Sequence, residues 1–144
     1  MTDLKPMPKR TLKQKMETRI NRRKGDVVLR ADFADLGDYD QVGRVLRILV
    51  KEEVLVKLGQ GIYAKAKRSA LTGELVPQGG IIQATREALT KLGVKVLPSS
   101  LERAYNADSS TQVPTGRLIG TSKRVRRVIR YGSVQMSFEH VTTR

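Results

Sequence analysis

The chain has 144 residues, no Cys, a single His and a formal net charge of +14, with a pI near 10.5. Without Cys there is no disulfide framework and no thiolate metal site, and one His leaves zinc without its usual ligands, so neither metal nor cofactor is expected. The charge favours a polyanion, and a membrane is the weakest of the candidates. No apolar run approaches the ~18 residues of a spanning helix. The N-terminus lacks the apolar core of a signal peptide, so a cytoplasmic chain is expected.

Hydrophobic residues make up 39%, and the 12 glycines bring the apolar share near the ordinary globular level. A packed core is therefore expected, in one domain or two small ones. Aromatics are only 4%, with no Trp, which argues against the base-stacking platforms of single-strand binders. The cationic excess runs through both halves of the chain, unlike a lone basic tail.

Residues 1–10, with Pro6, Pro8 and three cations, read as a flexible basic arm. Thr11 and Gln14 have capping-box spacing. Leu12, Met16 and Ile20 then repeat at i, i+4 and i+8, which predicts a first helix, with Gly25 as its stop. Val27-Val28-Leu29 is a short β-prone run. Asp32 is expected to cap one helical turn, with Phe33 and Leu36 inward.

Asp38 or Asp40 caps the next helix. There Val42, Val45, Leu46 and Leu49 share one face, and their burial contributes roughly 1.5–3 kcal/mol each. Arg44, Arg47 and Lys51 fall on the opposite face, with Gln41 one turn before. Leu55 to Leu58, the Gly59-Gln60-Gly61 turn and Ile62 to Ala64 predict a hairpin with Lys57, Gln60 and Lys65.

Helix, strand, short helix, turn, helix and hairpin follow the order of a winged helix-turn-helix over residues 11–68. Three cations outside a helix are, taken alone, a solvated face. In this order they become a candidate recognition face: Arg can bond a guanine edge bidentately and Gln can read adenine. Lys57, Gln60 and Lys65 are the candidate wing contacts, against the alternative of an ordinary hairpin closed by glycines free to adopt positive φ.

Residues 69–80, rich in Gly, Ser, Thr and Pro, read as a linker. A second unit follows over 81–144. Ile81, Ala84, Ala88 and Leu92 predict a helix ended by Gly93, Val94 to Leu97 a strand, and Ser99 or Ser100 the cap of a short helix. The remainder is β-rich. A strand is expected from Val125 to Tyr131, then a Gly132-Ser133 turn and alternating Val134, Met136 and Phe138. The fold class is thus α+β, a winged helix followed by a small α+β domain.

Lys123, Arg124, Arg126, Arg127 and Arg130 form the densest basic run. It suits phosphate backbone, RNA or an acidic protein, or else a solvated edge strand. Catalysis is not expected. Ser109, Ser110 and Thr111 have one distant His140 and no nucleophile elbow, and Glu52-Glu53 end a helix facing water.

Leu29-Arg30-Ala31-Asp32-Phe33, Asp40 to Leu46 and Leu58 to Ala64 resemble the N-terminal domain of AbiEi-type antitoxins of bacterial type IV toxin–antitoxin systems. Ser110-Thr111-Gln112-Val113-Pro114 and Arg126 to Gly132 are similar to that family's second domain. The resemblance implies a winged-helix DNA-binding domain that represses its own operon, and a nucleotidyltransferase-type toxin as partner. The expected function is a sequence-specific duplex-DNA-binding regulator of antitoxin type, and a homo-oligomer is compatible with that reading. The alternatives are an antitoxin acting mainly on its toxin and an RNA-binding protein.

Overall fold

The computed structural model describes residues 10–108 and 113–142. The basic arm over residues 1–9 and the Ser109 to Gln112 stretch, which holds most of one resemblance motif and the Ser/Thr cluster, lie outside the described residues. The fold is α+β.

Thr11 caps α1 (Leu12–Arg22) in a full capping box with Gln14, and Met16 and Ile20 are its buried residues. The helix does not need Gly25 as its stop. It ends at Arg23, whose backbone is extended. Gly25 instead leaves room for Glu87, whose carboxylate would collide with a Cβ there. That carboxylate accepts from the backbone N–H groups of Asp26 (3.1 Å) and Val27 (2.9 Å).

Strand β1 (Val27–Leu29) leads into a 3-10 turn (Arg30–Phe33). Asp32 lies inside this turn and does not cap it in the usual place. Its Oδ2 accepts from Leu29 N–H (2.8 Å), Arg23 (2.8 Å) and Lys91 (2.9 Å). Burial pushes the Asp32 carboxyl up, but these three donors outweigh it and hold it below the usual range.

Helix α2 (Tyr39–Lys51) is capped by Asp38 and buries Val42, Gly43, Val45, Leu46 and Leu49. Strands β2 (Leu55–Gly59) and β3 (Ile62–Arg68) form the hairpin, and β3 also pairs with β1, in the order β1-β3-β2. The stretch expected as a bare linker contributes β4 (Leu75–Pro77), an antiparallel partner of β3 through Ala66, Lys67 and Arg68.

Next come α3 (Gly80–Lys91), β5 (Val96–Leu97), the Ser99-capped α4 (Ser100–Asn106) and β6 (Leu118–Thr121). The hairpin β7 (Arg130–Tyr131) and β8 (Val134–Gln135) and the final strand β9 (Ser137–His140) complete the chain. A small sheet β5-β6-β9 joins β6 and β9 in parallel. The strand expected from Val125 to Tyr131 is confined to its last two residues. Consecutive cations give no two-residue alternation to sustain a ladder, and Ile129 turns fully into the core.

The first sheet is buried on both faces. Val28, Leu55 and Tyr63 face α1 and α2, in a cluster with Phe33 and Leu46. Their neighbours Val27, Leu29, Val56, Leu58, Ile62 and Ala64 face the other way, against α3, Ile119, Ile129 and Met136. Two-sided burial is why these strands read as apolar runs with little alternation.

Candidate nucleic-acid interface

The period of α2 decides what its outer face shows. With Val42, Val45, Leu46 and Leu49 taken into the core, Arg44, Arg47 and Lys51 stand exposed. None of the three has an acidic partner among the described residues. Gln41 is exposed too, but serves the cap: its backbone N–H donates to Asp38 Oδ1 (2.8 Å) and its Oε1 accepts from Asp38 N–H (3.4 Å). Reading adenine needs both ends of the amide, so Gln41 would have to release that long bond.

Two residues of this face lie outside the sequence-based expectations. Ile48 is 39% exposed amid the cations. Arg30 lies with its guanidinium 3.3 Å from the Tyr39 ring centroid, and its Nε donates to Tyr39 O at 3.1 Å. The same guanidinium covers Gly43, where a Cβ would strike it. Arg30 thus braces the start of α2. The available signal was Gly43 itself, since glycine inside a helix costs about 1 kcal/mol against Ala and calls for a close neighbour.

Beside α2, the hairpin closes through Gln60 and Gly61, with Gly59 opposite Ile62. Gly61 takes φ +73, a conformation glycine adopts without cost, and its carbonyl accepts from Arg30 N–H at 2.9 Å. Gly59 answers a different need. A Cβ there would press on the Val128 carbonyl, because the end of the basic run lies against the hairpin at this point. That segment is anchored by buried Ile129, whose carbonyl accepts from Met136 N–H at 2.9 Å, and by the Tyr131 hydroxyl, which donates to Leu75 O.

The candidate wing and the C-terminal basic run therefore meet. Lys57, Gln60 and Arg130 line one groove of about 610 Å³. Lys123, Arg124, Arg126, Arg127 and Arg130 are all exposed, without acidic partners among the described residues. Lys65 is elsewhere. It pairs with Leu55 at the far end of the hairpin, and its ammonium donates to Arg23 O at 2.8 Å. It locks α1 to the sheet and is not at the tip.

Behind the interface, Tyr63 is buried between the hairpin and α2. Burial raises its hydroxyl pKa, and nearby Arg30 and Arg47 offset part of that rise.

A family model described as a family of unknown function (DUF6088) matches residues 14–144. The chain belongs to this family. No curated protein and no solved structure matches it. In this family member no helix of the described residues is long and apolar enough to cross a membrane. The described residues also hold no cluster of three or more His, Cys, Asp or Glu that could bind a metal. Glu52 and Glu53, which end α2, pair with Lys13 and Arg68, and His140 is exposed on β9.

Proposed function

We propose that this chain binds duplex DNA in a sequence-specific manner, through a winged-helix module over residues 11–68. The observation that carries the reading is the outer face of α2. Three exposed cations without acidic partners, Arg44, Arg47 and Lys51, project from a helix whose opposite face is core, and the hairpin packs beside it through Tyr63. The major groove of B-DNA admits such a helix, and Arg there bonds guanine O6 and N7. Ile48 offers an apolar contact for a thymine methyl. The Lys57, Gln60 and Arg130 groove and the 123–127 cations supply phosphate contacts that position the module without reading sequence.

The resemblance to AbiEi-type antitoxins extends this to a regulator that represses its own operon, with a nucleotidyltransferase-type toxin as partner. The test is a gel-shift against the chain's own upstream region and against random duplex. Preferred binding upstream is expected, with Arg44→Ala and Arg47→Ala each costing roughly 1–3 kcal/mol of that preference. Unchanged affinity in the double variant would sink the assignment of α2 as the reading helix.

A further inference from the structure

A second cationic surface lies on the outer side of α1. Met16 and Ile20 turn inward, which leaves Lys15, Thr18, Arg19 and Arg22 along one outer line at i, i+3, i+4 and i+7. With Arg10 and Arg23 they line a groove of about 340 Å³. No residue of α2 or of the hairpin lines it, so it is separate from the interface described above.

The groove is partly built in advance. Arg19 is held by both oxygens of Asp35, at 2.6 and 2.8 Å, and also donates to Asp32 O at 2.8 Å. Arg23 is held by Asp32 at 2.8 Å. Two guanidiniums are thereby fixed in place with donors to spare, since each carries five N–H groups. Arg10, Lys15 and Arg22 have no acidic partner among the described residues. Several unbalanced cations around one concavity call for a ligand with several closely spaced negative charges. Arginine forks match phosphate oxygens in pairs. A lipid surface fits poorly, because the exposed large apolar residues are Tyr39, Ile48, Leu71, Tyr105, Val113 and Val128, none of them on α1.

We propose that this groove binds two or more adjacent phosphate groups, independently of α2. The phosphates could belong to a nucleic-acid backbone or to a free polyphosphate, and the two sources separate experimentally. In amide NMR of the full chain, inorganic tripolyphosphate is expected to shift residues 10–23 saturably. The triple variant Arg10→Gln, Lys15→Gln, Arg22→Gln should weaken this by about tenfold or more, as loss of charge-assisted hydrogen bonds implies. The charge-keeping variant Lys15→Arg should retain it. A short random duplex is then added to the Arg44→Ala, Arg47→Ala chain. Shifts at residues 10–23 assign the groove to a nucleic-acid backbone, with a salt slope shallower by about 0.9 for each phosphate that the triple variant no longer neutralises. Response to tripolyphosphate alone assigns it to free polyphosphate.

The proposal is overturned if neither probe shifts these residues, or if the triple variant binds as tightly as the parent. Loss of binding in the charge-keeping variant would equally overturn it, as would binding only to phosphatidylserine vesicles. None of these outcomes touches the α2 reading, which stands or falls on operator preference.

Discussion

The two faces of the β1-β3-β2 sheet make an instructive pair. One face meets α1 and α2, which flank it closely in the chain and whose cluster runs only from Met16 to Tyr63. The other meets α3, Ile119, Ile129 and Met136, brought from up to about three quarters of the chain away from β1. The first face is assembled from neighbours and the second from distant segments. A short sheet can therefore serve as the common wall of two cores, and its outward chemistry depends on both.

The sharpest way to break that comparison is to cut a hole in each core. Leu46 and Leu89 are both fully buried, one on each side. Leu46→Ala and Leu89→Ala should each cost about 2–5 kcal/mol. Because the strands between them carry side chains into both clusters, unfolding in urea should remain a single transition in both variants. Two resolved transitions would show that the faces are independent units.

A smaller effect is expected at the hairpin tip. Gly59→Ala drives a methyl against the Val128 carbonyl, and the backbone on one side must yield at a cost of about 1–3 kcal/mol. Operator preference should persist, since α2 is untouched, while random-duplex affinity falls as the basic segment is displaced. Loss of preference with the fold intact would mean that the far face reads sequence as well.

The smallest effect belongs to the near face. Arg19 hydrogen-bonds Asp35 and pulls its carboxyl down to about 2, from an ordinary 3.8. A carboxylate depressed on folding adds stability above its ordinary pKa and loses it as pH falls. The contribution of Asp35 is thus whole at neutral pH and fades between about pH 4 and pH 2. In the Asp35→Asn chain the acid-dependent loss should be slightly shallower across that window, by urea melts at stepped pH. A pair this exposed contributes little; an identical profile would show that it contributes nothing measurable.

Legibility in the sequence divides along the same line. The α1 and α2 periods, the Thr11 cap, the choice of Asp38 or Asp40 as the next cap and the Gly59-Gln60-Gly61 turn are local signals, and the helices and hairpin stand where they predict, with Asp38 the cap and Gly59 drawn into β2. The roles of Gly25, Asp32 and Gly59 were not legible. Gly25 and Gly59 answer partners more than 60 residues on, Glu87 and Val128, and Asp32 takes one of its three donors, Lys91, from 59 residues on. No window of neighbouring residues carries that information. Lys65 misled for a related reason, because its place near the turn in sequence said nothing of the Arg23 carbonyl that takes its ammonium. In the 123–130 run the cations were evident, but not that Ile129 would be buried with Val128 and Arg130 set against the hairpin.

The sheet buried on both sides also bears on what happens to an incomplete chain. A product ending near Arg68 would keep α2 and its arginines. It would, however, turn Val27, Leu29, Val56, Leu58, Ile62 and Ala64 to water as one contiguous apolar wall. Such a wall is a site for aggregation and for the proteases that clear it. Translation halted midway would then release a fragment exposed to clearance and not a free-standing α2 module.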